Sequence, residues 1–202
     1  ANRDLLQELL QDIDLADLLR PEAVAEVRER LQHTAPAVQV RTLEELAYLF
    51  QSVGDLSSVE VAERCTTDPA SWLGRLAGDR RIAALPIPTH LHVETRWVAA
   101  ELAPEYVAAF DLSSEPSAKE YHQWNFSAEE ARRRILHRYL AQVGPTTADA
   151  IRARYAFPAD WLAGELAELV ANRQLAQGRF TPGTSAAGES AQSIEYVDRH
   201  VL

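Results

Sequence analysis

The sequence predicts a mainly α fold with small β-hairpins (α+β): two tandem winged-helix modules preceded by an N-terminal helical segment. Three observations predict it. Short amphipathic helices alternate with Gly and Pro breaks, each set of three helices is followed by strand-like runs, and that whole order occurs twice at near-constant spacing. Three helices followed by a hairpin are the elements of the winged variant of the helix-turn-helix. The expected boundaries are 1–41 for the helical segment and linker, 42–110 for module one, 111–126 for a linker or insert, and 127–202 for module two.

Leu5, Leu6, Leu9, Leu10 and Ile13 recur at helical spacing, and Pro21 is placed to open a second helix ending near Gln32. His33–Val40 reads as a linker. Thr42 with Glu45 predicts a capping box, and Leu43, Leu46, Ala47, Phe50 and Val53 form the apolar stripe behind it. Gly54–Ser57 breaks the pattern before a short helix over Val59–Cys65. Asp68-Pro69 predicts the start of a third helix, running to about Gly78. Two strands are expected over Arg81–Leu85 and Leu91–Val98, joined by a proline-bearing loop.

The second passage repeats the first. Ser127 with Glu130 predicts a helix to Val143, Gly144-Pro145-Thr146-Thr147 breaks it, and Ala148–Tyr155 is a short helix. Pro158–Asn172 is the third helix, Leu175–Phe180 a strand and Ser193–Asp198 its partner. Val53-Gly54 registers with Val143-Gly144, and Trp72-Leu73 with Trp161-Leu162, so the spacing stays at 89–90 residues through two helices. The paired tryptophans read as a shared core position rather than a platform for bases.

Composition narrows the function. The chain has 202 residues, 47% hydrophobic and 25% charged, enough to bury a sizeable core, and no apolar run is long enough for a membrane span. One cysteine excludes a disulfide framework, and the lack of any methionine, even an initiator, suggests a fragment of a longer chain. Residues 1–126 carry 21 acids and 11 bases, against nine of each in residues 127–202. An acidic first part does not invite phosphate. The single lysine, Lys119, has no glycine-rich context, so no phosphate-cradling ATPase loop exists, and the motifs of nucleophilic, zinc and dinucleotide chemistry are missing too. His90, His92 and Glu94 would line one face of a strand, but without further ligands they read as a solvent-facing wing.

Nucleic-acid contacts, if the chain makes them, fall to the second module. Its third helix carries Asp160, Glu165 and Glu168 and reads a groove poorly. Arg132, Arg133, Arg134 and Arg138 cluster on its first helix, where Arg134 and Arg138 share a face, and Arg173 and Arg179 follow the third helix. These six are the candidate nucleic-acid-binding residues. The competing reading of the cluster is a solvated or docked face paired with Glu129 and Glu130. The loop TPGTSAAGESAQS carries no base.

The strings RWVAAE (96–101), GRFTPG (178–183) and EYVDRHVL (195–202) resemble the Lhr, or large helicase-related, proteins, whose members tend towards an E-W-C-D-R-R-L-L-like ending. LLQELL through LRPEAVAEVRERLQ, and GDLSSVEVAERC with WLGRL, are also similar to Lhr sequence beyond the helicase core. The resemblance spans nearly the whole chain. It implies a non-catalytic piece of a bacterial, cytoplasmic, superfamily 2 ATP-dependent DNA helicase acting in DNA repair. ATP and Mg belong to the parent chain, a hydrolase, and no cofactor or metal is expected on this fragment. The implied partners are DNA, other domains of the parent and a further copy of the chain. Two alternatives stay open: a structural or oligomerising module without nucleic-acid contact, and part of a glycosylase-like repair enzyme. The sequence departs from the family pattern at Tyr196-Val197, and Asp111–Phe126 looks peculiar to this chain, so no catalytic residue carries over.

Overall fold

The computed structural model describes residues 20–121, 126–181 and 194–201, and α1 spans Pro21–Leu31. The helix expected around Leu5–Ile13 lies outside the described residues. Helix α2 (Leu43–Val53) starts where Thr42 Oγ1 accepts from the Glu45 amide at 3.2 Å. Its capping box is half formed, because the Glu45 carboxylate accepts from the Arg41 amide at 2.7 Å instead of from Thr42. The complete box belongs to α3 (Ser58–Glu63), where Ser57 and Glu60 satisfy each other's amides. Helix α4 (Ala70–Gly78) follows Pro69, with Asp68 accepting from the Ala70 amide at 3.0 Å.

Strands β1 (Ile82–Pro88) and β2 (Val93–Ala99) pair antiparallel in continuous register from Ile82↔Ala99 to Pro88↔Val93. The prolines expected in the loop therefore lie inside β1. A two-stranded ribbon has free edges, and a proline whose missing N–H faces outward costs no ladder bond. His90 and His92 consequently sit in the turn, not on a strand with Glu94, whose carboxylate instead accepts from Arg96 Nε at 2.7 Å. Among the described residues no cluster suited to a metal forms.

The chain continues through α5 (Ala103–Phe110) and two short 3₁₀ turns, Leu112–Ser114 and Pro116–Tyr121. The stretch expected as a linker thus contributes to the core, with Leu112 and Ala118 buried. Then come α6 (Ala128–Val143), β3 (Thr146–Thr147), α7 (Ala148–Arg154), α8 (Ala159–Ala171), β4 (Leu175–Gly178) and β5 (Glu195–Asp198). The second sheet has the order β3-β5-β4, all antiparallel. Strand β3 occupies what reads in the sequence as a plain helix break. Its first-half counterpart is Leu56, which exchanges backbone hydrogen bonds with Trp97 at 3.0 and 2.8 Å. Of the loop between β4 and β5, residues 182–193 lie outside the described residues.

Two hydrophobic clusters share the β1–β2 ribbon. Ile82 and Ala99 face the first, with Leu46, Phe50, Val61, Leu73 and Leu76 from α2–α4. Ala83, Leu85, Ile87 and Val98, of opposite pleat, face the second, which gathers α5 through α8. The ribbon of the first half is therefore buried on both faces, and the second half covers what would otherwise be solvent. Trp72 and Trp161 each pack, partly buried, against their own cluster. Helix α1 clamps both halves: Arg28 Nη2 donates to Pro145 O at 2.8 Å, Gln32 Nε2 to Gln142 O at 2.6 Å, and Gln32 Oε1 accepts from buried Arg64.

Candidate functional site

The arginine face of α6 exists, and the fold has already partnered most of it. Ala131, Ile135, Leu136 and Leu140 turn inward, leaving the arginines between them on the flanks of the helix. Arg133 Nε donates to Glu165 at 2.7 Å, with Glu129 beside it at 3.3 Å. Arg134 pairs with Glu130 at 2.9 Å, lies 3.7 Å from Glu105, and sets its guanidinium 4.6 Å over the Phe126 ring. Arg138 binds Glu105 at 2.8 Å and is mostly buried, and Arg132 Nε donates to the Ala109 carbonyl at 3.2 Å. Burial works against the Arg138 charge, but Tyr106 and Glu105 outweigh it and hold its pKa above the ordinary value. Glu105, Glu130, Arg133, Arg134, His137 and Arg138 together line one shallow cleft of alternating charge.

The acids that do this come from α5 and α8 as well as from α6 itself. Glu105 and Glu165 are both buried, and in the repeat register Glu165 takes the place of the fully buried Leu76. A carboxylate at a core position needs a cation, and Arg133 with His137 at 3.6 Å supplies the surroundings. Arg173 and Arg179, the other two candidates, lie exposed beyond α8 and away from this cleft.

A second cluster, absent from the sequence reading, joins the halves. Asp55 is 1% exposed and sits directly after Gly54, whose φ of +97° only glycine adopts readily. Its carboxylate accepts from Arg96 Nη1 at 2.8 Å, Tyr106 Oη at 2.9 Å, Tyr155 Oη at 2.5 Å and Arg154 Nη2 at 3.0 Å. Arg154 also reaches Glu60 at 2.6 Å and the Asp55 carbonyl at 2.6 Å, and Arg96 donates to the Arg154 carbonyl at 3.2 Å. Burial alone would raise the Asp55 pKa. The adjoining Arg154 and Arg96 guanidiniums, with the Tyr155 hydroxyl, more than offset that and hold it at about 2. The same surroundings drive the Tyr106 and Tyr155 hydroxyls well above their ordinary values, burial first and the Asp55 charge second. A fully satisfied buried carboxylate with depressed pKa stays ionised and positions its neighbours; no group here is poised to exchange a proton near neutrality.

Sequence reasoning missed this cluster for an identifiable reason. Arg96 stands on an alternating strand, V-E-T-R-W-V, which reads as solvent-facing until the second half covers it. One signal was present: at the repeat spacing of 90, Arg64 registers with Arg154, and both arginines end the second helix of their half.

Residues 17–124 match the family model described as the winged-helix domain of large helicase-related protein, a span that takes in α1 and both 3₁₀ turns. A protein of Mycolicibacterium smegmatis named "Lhr helicase/ probable uracil glycosylase" is 31% identical over 202 residues, covering 98% of this chain and 12% of its own length. The Escherichia coli "Lhr helicase/uracil glycosylase" is 33% identical over 82 residues, 39% of this chain and 5% of its own. The chain therefore spans about an eighth or less of the curated relatives it matches. With an α+β fold, a family match over more than half its length and a relative aligned end to end, the chain belongs to the Lhr (large helicase-related) family and contains its winged-helix domain.

Proposed function

We propose that this chain is a non-catalytic accessory region of an ATP-dependent DNA helicase, a tandem pair of winged-helix modules that supports DNA engagement and domain assembly during DNA repair. The observation that carries the reading is the interlock at Asp55. Groups from α2–α3, β2, α5 and α7 converge on one buried carboxylate, so the two halves present their third helices as one unit. Such a unit is a scaffold for holding a strand or a neighbouring domain in fixed geometry. ATP and Mg belong to the motor elsewhere in the parent chain, and the cytoplasm is the expected compartment.

Nucleic-acid contact falls to cations not already consumed by the fold. Arg132, Arg133, Arg134 and Arg138 hold α5, α6 and α8 together, so their part in binding is secondary to that of Arg173. Reversing Arg134 and Arg138 to Glu would place like charges beside Glu105 and weaken the fold along with any binding. A purely structural or oligomerising role is favoured by the net charge of −10 and by exposed Tyr48, Val59 and Leu91. The glycosylase-like reading draws on the family resemblance and on the names of the relatives.

The test is made in the longer parent chain. Excising the segment that corresponds to residues 42–201 should leave ATP hydrolysis by the motor largely intact and lower DNA affinity by tenfold or more. Unchanged DNA affinity, with altered mass in light scattering, would establish the assembly role instead.

A further inference from the structure

We infer that Arg80 and Arg173, which hold the same position at the end of the third helix of each half, are a matched pair of contacts for a phosphodiester backbone. The inference rests on the reading that this region touches nucleic acid, and it names the atoms that do so.

The two helices close identically. In α4 the Arg80 amide donates to Ala77 O at 3.0 Å and the Arg81 amide to Leu76 O at 2.8 Å. In α8 the Arg173 amide donates to Val170 O at 3.0 Å and the Gln174 amide to Leu169 O at 2.9 Å. This closure forces one residue into the left-handed region, and that residue is Arg80 at φ 56° and Arg173 at φ 58°. Glycine is the ordinary occupant there, with asparagine next, because any other side chain crowds its own backbone. Both halves place an arginine where the fold would be better served by glycine.

Register strengthens the coincidence. Trp72 and Trp161 are 89 residues apart, whereas Arg80 and Arg173 are 93 apart, because α8 has 13 residues and α4 has nine. The arginine has followed the turn and not the residue count. Both side chains are exposed, and among the described residues neither guanidinium makes a hydrogen bond or an ion pair. That separates them from the α6 arginines. Among the described residues, other exposed bases whose side chains make no carboxylate contact, such as Arg20, Arg41, Lys119 and Arg199, have no basic counterpart in the opposite half. The helix dipole favours a cation in the last turn, but a helical position such as that of Arg75 supplies that without left-handed backbone.

The placement suits a phosphate. Each arginine stands where the third helix gives way to the first strand of the ribbon, β1 from Ile82 or β4 from Leu175. In helix-turn-helix docking, backbone contacts made at the ends of that helix fix its orientation, and the forked guanidinium matches phosphate oxygens.

The experiment measures binding and stability together, on Arg80→Gly, Arg173→Gly and the double variant of the 202-residue chain. Fluorescence anisotropy with labelled single-stranded and duplex DNA is taken across a salt series, beside thermal melts. Each Gly variant should melt at or above the wild-type temperature while binding more weakly. The slope of log K against log salt should shrink by about 0.9 per arginine on duplex, or about 0.7 on single strands. Arg→Lys variants should keep the slope. Gly variants that bind like the wild type would overturn the assignment and leave the broader reading to other contacts. A wild-type chain without salt-dependent binding would overturn both. Variants that lose stability and binding together would make these arginines parts of the fold, which also overturns the assignment.

Discussion

Replacing Asp55 by Asn is the perturbation that probes the interlock most sharply, because the two side chains have the same shape. The substitution removes the counter-charge of Arg96 and Arg154, 3% and 16% exposed, and turns an amide hydrogen towards donors that need an acceptor. Breaking a buried ion pair by removing one partner costs about 3–5 kcal/mol. The pKa gives an independent figure. A carboxyl held at about 2 in the fold, against its ordinary 3.8, contributes about 2 kcal/mol through ionisation alone. This part is fully present above pH 3.8 and is lost as pH falls towards 2, since the depressed value belongs to the folded state. Asn should cost more than acid, because its NH2 turns two hydrogens towards the surrounding Arg and Tyr donors where a protonated carboxyl turns one. In urea, with m about 2.5 kcal/mol/M, the midpoint at pH 7 should fall by roughly 1–2 M, read by far-UV circular dichroism. The acid-induced loss between pH 4 and 2 should be smaller in the variant. A midpoint shift below roughly 0.4 M, equivalent to about 1 kcal/mol, would refute the claim that this carboxylate holds the halves together.

Three further outcomes follow from particular residues. Gly54→Ala should destabilise by at least about 2 kcal/mol, measured by the same urea titration, since φ is +97° and an added Cβ would stand 2.9 Å from Tyr106 Oη. Glu165→Leu restores the residue type that Leu76 has in the first half; Arg133 and His137 are near half-exposed and find water, so stability should change by less than about 1 kcal/mol or rise. The Cys65 thiol is buried, and desolvation lifts its pKa to about 11; thiol labelling at pH 8 should therefore be slow in the native chain and fast in urea, and rapid native labelling would contradict the packing.

The local elements were legible because they rest on local chemistry. Thr42, Ser57, Ser127 and Thr147 each cap a helix through the amide three residues on, and Gly54 and Gly144 sit at positive φ where the helices before them stop. Trp72 and Trp161 carry matching neighbours in the sequence, and each packs partly buried against its own cluster. What stayed hidden was set by contacts more than 30 residues apart in sequence. Glu165 meets Arg133, Asp55 meets Arg154, and Ala156 N meets Pro88 O at 3.0 Å, each across a helix or the boundary between the halves. No periodicity records such pairings. The arginine cluster was therefore seen as a face, while its carboxylate partners from α5 and α8 were not. Residues 111–121 carry few apolar side chains, so the burial of Leu112 and Ala118 in the second cluster is not visible from periodicity.

The measurement that tests the account most directly is the salt dependence of DNA binding by the unmodified chain. Arg80 and Arg173, with Arg133, Arg134 and Arg138 of α6 already paired to Glu165, Glu130 and Glu105, predict a log–log slope of about −2 on duplex DNA. A slope of about −5, as six phosphate contacts would give, or no salt-dependent binding at all, would contradict it.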